Sequence, residues 1–239
     1  MLINLIKTKS IIITTLQKHR VSDLSLRLSL DGQNIENVTG HRLLGVIVDN
    51  KFRWQAQTEH ICKSMSKKLF LLSQLQYIIN IDTRKPFYSA HIKPHIDYAS
   101  VVWDDCGEVH VKRLNSLHRR ACKLILPDPS LSTEQKMSVL GILNLPQQLA
   151  YNKGICMDKV LNNNSPDYLA QLFVSHQSHY TNSRNNFNVP RPRLDLFKTS
   201  ISFSGTPCLK ILSLVDMYAH EKNSIRFFLC KFLGTVKLH

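Results

Sequence analysis

Trp103-Asp104-Asp105 sets two carboxylates side by side behind an aromatic residue. Paired carboxylates are what a two-Mg²⁺ centre uses to activate a hydroxyl and steady a leaving pyrophosphate. No upstream carboxylate stands in a matching context, so an exposed turn after Trp103 is the expectation. His91 and His95 are four apart, the spacing of two ligands on one helical face. Pro94 intervenes, and no carboxylate or cysteine completes a set, so structural or exposed histidines are expected. Cys106 with His110 and His118 has the residue types of a thiolate and its base, but nothing orients them. No catalytic residue, metal ligand or cofactor is assigned.

Positive charge is the stronger signal. Lys63 and Lys67 are one helical turn apart, and Lys112, Arg119 and Lys123 share roughly one face, with Arg120 beside them. Such rows track phosphates without reading sequence; the plainer alternative is a solvated helix face. Asn182, Arg184, Arg191 and Arg193 lie in a polar stretch that could add phosphate contacts. The whole chain carries 31 Lys and Arg against 17 Asp and Glu, a net +14. That excess draws polyanions, nucleic acid first and an anionic membrane surface second.

The elements that must carry these residues follow from pattern. With 239 residues, 43% of them hydrophobic, the chain can bury a core of one large domain or two small ones, and only 8 glycines favour helices. Residues 1–50 read as short strands: Ile11–Thr15 is β-branched, Leu24–Leu30 alternates, Asp31-Gly32 supplies a turn, and Leu43–Val48 is a third apolar run. From Trp54 the pattern turns helical. Ile61, Met65, Leu69, Leu72, Leu75 and Ile79 mark one long helix. Asp82 is the expected cap of the next, which runs toward Pro94. Leu114, Leu117, Ala121, Leu124 and Ile125 mark a third, stopped by Pro127-Asp128-Pro129. Further helices are predicted over Thr133–Leu140, ended by Gly141, over Gln147–Leu161, and within Leu212–Leu233. Residues 175–195 read as an exposed connector.

Cys62, Cys106, Cys122, Cys156, Cys208 and Cys230 are widely spread with no C-x-x-C pair, which fits reduced thiols. Met1–Lys7 is charged too soon for a signal peptide, and no apolar run approaches the ~20 residues of a membrane span. A cytoplasmic or nuclear location, not a secreted one, and no membrane partner are expected.

Several segments, in order, resemble reverse transcriptases of non-LTR retrotransposons of the jockey-like kind. Ile3-Asn4 with Lys7-Thr8-Lys9 is similar to the palm segment L-x-I-N-x-x-K-T-K, and Leu43–Asp49 with Trp54 to Y-L-G-V-x-L-D…W. Lys67-Lys68-Leu69, Thr83-Arg84-Lys85 with Tyr88, Pro94–Tyr98 and Val101-Val102-Trp103 resemble the thumb. Arg113-Leu114, Leu117, Arg119-Arg120-Ala121 and Ile125-Leu126 resemble R-L-x-x-L-Q-N-R-A-x-R-x-I-L. Tyr151-Asn152-Lys153, Lys159–Asn162 and Pro166 with Tyr168-Leu169 fit the region after the thumb. Pro190–Arg193, Phe197-Lys198 and Ser202–Gly205 fit the tail. The order over nearly the whole chain carries the likeness, not any one piece.

The resemblance implies an α+β, mainly α chain: the end of a palm over 1–53, a helical thumb over 54–130, and a helical C-terminal region over 131–239. It implies that the metal-holding carboxylates would precede Lys7-Thr8-Lys9, so a truncated, non-catalytic remnant is expected, lacking its upstream palm and fingers. Mg²⁺ would be needed only by an intact polymerase. Lys7 and Lys9 correspond to a segment near the incoming nucleotide, and Leu44-Gly45 to the primer-grip hairpin; the alternatives are surface lysines and a buried, kinked strand. The implied partner is RNA or an RNA–DNA duplex, held by Lys7, Lys9, Leu44, Gly45, Lys63, Lys67, Lys112, Arg119, Arg120 and Lys123. Leu43 and Leu209 stand where the family has Tyr and Trp, Ser213 where it has Pro, and Pro86 where leucine is usual, as drift in a decaying copy would leave them. Pro86 is expected to move its helix start later. A reading from another class is a helical module that binds protein through a bare apolar stripe, and a third is a relic without function.

Overall fold

A strand pairs only as far as it has a neighbour, and that rule sets the limits of the N-terminal part. In the computed structural model the described residues are Asn4 and 8–13, 27–30, 32–162, 164–171 and 204–205. Lys7, the connector over 175–195 with Asn182, Arg184, Arg191 and Arg193, and the helix within 212–233 lie outside them. Strand β3 (Gln33–Asn37) is central, parallel to β1 (Lys9–Ser10) and antiparallel to β2 (Leu28–Leu30). Of the strand expected over Ile11–Thr15, residues 11–13 lie past β1 and outside any strand, and Thr14 and Thr15 lie outside the described residues. The ladder closes where β3 ends, Val38 N–H donating to Ser10 O at 2.9 Å. The predicted turn holds, with Gly32 at φ 75° bringing Leu30 opposite Gln33.

The run Leu43–Val48 folds back on itself. Strands β4 (Gly40–Leu43) and β5 (Val46–Asp49) are antiparallel, with Leu43 opposite Val46. Leu44 at φ 48° and Gly45 at φ 88° form the two-residue turn whose twist suits a hairpin. Of the two readings of this run, the hairpin is the one that forms.

Asp49 then turns the chain from strand to helix. Its carboxylate accepts from Lys51 N–H (2.9 Å), Arg53 N–H (3.1 Å) and Trp54 N–H (2.8 Å). Helix α1 (Gln55–Leu75) follows and buries Ile61, Met65, Leu69 and Leu72, as the periodicity predicts. Ile79 lies past its end. Gln57 is buried, and its side-chain oxygen accepts from Ile47 N–H at 2.9 Å, fixing β5 to α1.

Two expectations for α2 (Ile81–His91) are corrected. Its N-cap is Asn80, and Asp82 sits in the first turn, where a carboxylate meets the positive end of the helix dipole. Pro86 stays inside the helix without delaying its start, on the exposed side where the lost donor faces solvent. Helices α3 (Lys93–Asp97), α4 (Ser100–Trp103), α5 (Glu108–Ile125), α6 (Thr133–Leu140), α7 (Leu145–Leu161) and α8 (Asp167–Ala170) follow. Helix α6 has the predicted bounds: a Ser132/Gln135 capping box opens it and Gly141 at φ 63° ends it. Helix α7 starts at Leu145, ahead of the predicted Gln147, because Asn144 and Gln147 close a second capping box.

One core runs through the described helices, joining Met65, Leu69, Ile96, Trp103, Leu114, Ile125 and Leu145, and reaches from Val46 to Leu149. It crosses the boundaries drawn at 53/54 and 130/131. The apolar stripe of α1 is packed against α5. The chain is α+β and mainly helical, with its small β part first, as the sequence predicts.

Candidate nucleic-acid interface

Helix α5 is amphipathic, and its inward face decides its outward one. Leu114, His118, Ala121, Cys122 and Ile125 are buried. The same winding sends Lys112, Ser116, Arg119, Arg120 and Lys123 outward. With Asn115 these side chains line an open concavity of about 460 Å³. At 1.5 Å per residue the strip from Lys112 to Lys123 is about 16 Å long. The structure thus brings together Lys112, Arg119, Arg120 and Lys123, as their spacing predicts.

Two of the four cations have carboxylate partners. Lys112 pairs with Glu108 at 2.7 Å within the helix. Arg119 pairs with Glu134 at 2.7 Å across to α6. Arg120 and Lys123 have no ion pair among the described residues. The Glu134 carboxyl is held below its ordinary range by a backbone amide at its helix start, then by Arg119, with Lys123 adding to it. Lys112 lowers the Glu108 carboxyl in the same way. Both acids are therefore ionised at neutral pH.

The other expected residues sit on separate elements. Lys63 and Lys67 project from the exposed side of α1. Leu44 is 84% exposed at the tip of the β4–β5 hairpin. The Tyr98 hydroxyl donates to Leu44 O at 2.5 Å, and the ideal Cβ position of Gly45 lies 3.4 Å from the Tyr98 ring. Lys9 is paired with Glu36 across β1 and β3, so its charge is partly spoken for.

One of the two adjacent carboxylates does structural work. The expected turn follows Trp103 and leaves Asp105 exposed, but the Asp104 side chain is turned inward. Its carboxylate meets the buried Lys153 ammonium at 2.6 Å, and Lys153 also donates to the Ser204 hydroxyl at 2.8 Å. Burial pushes the Asp104 carboxyl up, and Lys153 only partly offsets it. Asp105 is exposed. Among the described residues no group of three His, Cys, Asp or Glu could hold a metal ion.

Of the remaining candidates, Cys106 and His110 line one pocket with Phe52 and Arg53, while His118 packs against Tyr88. Cys106 is buried, and that burial pushes its thiol up to about 12, far from a thiolate at neutral pH. His118 is wholly buried; Tyr88 O–H and His118 Nε2 are hydrogen-bonded at 2.6 Å with stacked rings. His91 is exposed against Phe87 (ring centroids 4.7 Å), while His95 is half-buried and its imidazole is lowered by burial, then by Lys68 and His60.

Three positioning residues are not among the expected site residues. Arg84 is buried and donates to Ile79 O (3.1 Å), Ile125 O (3.5 Å) and Gln76 O, closing the open carbonyl ends of α1 and α5. Tyr98 fixes the hairpin. Glu134 reaches Arg119 from the next helix, and only its place in a capping-box turn could have marked it as fixed. Among the described residues no helix is long and apolar enough to cross a membrane. No protein-family model, curated protein or solved structure matches the chain.

Proposed function

We propose that this chain is thumb-side reverse-transcriptase sequence whose activity is sequence-tolerant binding to RNA or an RNA–DNA duplex. The basic strip on α5 carries the reading: four cations on one exposed helix face, with a neutral serine and asparagine between them, suit a phosphate backbone rather than base edges. The resemblance in residue order and the net charge of +14 support the same partner. Asp104 is committed to Lys153, as a structural carboxylate would be. Filter binding of a labelled RNA–DNA duplex across a salt series tests the reading. Four phosphate contacts give a log–log slope on the order of −3, and a flat response would sink it. Charge reversal at Lys63, Lys67, Arg119 and Arg120 should weaken binding for every sequence alike.

A second reading is a protein-interaction module. Phe70, Leu71, Tyr77, Ile78 and Ile81 are exposed apolar residues at the end of α1 and the start of α2. Exposed apolar side chains this close in the chain are the kind a partner site uses. Concentration-dependent elution on size exclusion, lost in Tyr77→Ser with Ile78→Ser, together with no duplex binding would favour it.

A further inference from the structure

The strip on α5 is not uniformly available, and the reason lies on the neighbouring helix. Lys112–Glu108 is an i, i+4 pair with both side chains well exposed, a loose contact that either partner can leave. Arg119–Glu134 differs. It joins two helices at 2.7 Å, and Arg119 is only 39% exposed. Glu134 cannot drift away with its backbone. The Ser132/Gln135 capping box fixes the start of α6, and Met137 and Leu140 anchor that helix in the core. The Lys123 charge adds a weaker pull on the same carboxylate.

We propose that Glu134 is a built-in competitor of the phosphate backbone. In the free protein it occupies Arg119, and duplex binding requires Arg119 to change partner. The inference rests on the polyanion-binding reading above and specifies how that site is tuned. A guanidinium can hold a carboxylate or a phosphate through the same forked donors, so the exchange conserves its hydrogen bonding. The cost of the exchange is what an exposed ion pair is worth, which sets the size of the effect.

The test is a double-variant cycle on the full chain, read by anisotropy of a labelled RNA–DNA duplex at low salt. Glu134→Gln should tighten binding about two- to five-fold, the range an exposed pair supplies. Arg119→Gln should weaken binding. In the Arg119→Gln background, Glu134→Gln should bring back little of that gain, because the coupling belongs to the pair. Equal tightening by Glu134→Gln in both backgrounds would mean only a general loss of negative charge and would overturn the proposal. Unchanged affinity in Glu134→Gln, with the parent protein binding in a salt-dependent way, would overturn it while leaving the binding reading intact. Absence of salt-dependent binding by the parent protein would overturn both. Thermal melts of each variant identify any change that comes from unfolding.

Discussion

The strands and the helices of this protein are held by different means. Between Lys9 and Asp49 the described residues bury a single side chain, Val46. Each helix from α1 to α7 places at least one apolar side chain in the core, and Met65, Leu69, Leu72, Trp103, Leu114 and Ile125 are wholly buried. The helical body is stabilised by apolar burial, which is spread over many contacts. The β part depends on a few directed bonds: Asp49 to three amides, Gln57 to Ile47, and Tyr98 to Leu44. A structure of the first kind degrades gradually under substitution. One of the second kind fails at its pins and tolerates change elsewhere.

The sharpest test of that contrast is truncation on each side. Leu114→Ala should cost about 3 kcal/mol in urea denaturation. Leu28→Ala, at a residue 39% exposed in β2, should cost less than ~0.5 kcal/mol. Equal costs would show that the β part shares the core after all.

Acid should separate the regions next. The buried His118 imidazole is lowered to about 4, first by burial and then by Lys93, with Asp97 opposing. In the unfolded chain it titrates near 6.5. The fold favours the neutral ring, so this contribution is whole above about pH 6.5 and is lost as pH falls toward 4. The loss amounts to about 3 kcal/mol over that window. His95, lowered in the same direction, adds to the slope. His118→Gln should flatten the dependence of the urea midpoint between pH 6.5 and 4.5, and an unchanged profile would show that His118 is not its source.

A smaller effect is expected at the hairpin. Gly45→Ala forces a side chain onto φ 88° and against Tyr98, at a cost of about 1–2 kcal/mol. Tyr98→Phe removes one hydrogen bond, worth about 1 kcal/mol. Both should raise amide exchange over residues 40–49 and leave α5 protected. Protection lost in both places would mean that the hairpin and the helices unfold together.

The sequence made the helices legible because their signals are local. The stripe from Ile61 to Leu72 and the stop at Pro127 need no knowledge of partners, and the same winding that buries Leu114 exposes Lys112 and Lys123. The helix limits around Asp82, Pro86 and Gln147 were read less well, since capping depends on side chains one or two positions away that compete for the same amides. What could not be read were contacts between distant positions. Nothing near Arg84 announces that it closes carbonyls as remote as Ile125, and nothing in Asp104 points to Lys153. Ile11–Ile13 form no strand for the same reason: β-branched residues favour extension, but pairing needs a neighbour.

The bridge from Lys153 to Ser204 has a practical result for anyone shortening this chain. Residues 204–205 return to the wall of the helical body, and Gly205 is itself buried. A protein ending at Gln171 would strip the hydroxyl from an ammonium that stands almost wholly out of water beside a carboxylate already strained by burial. Water would then enter between α4 and α7, and the shortened protein would be softest at the place where a deletion looks harmless.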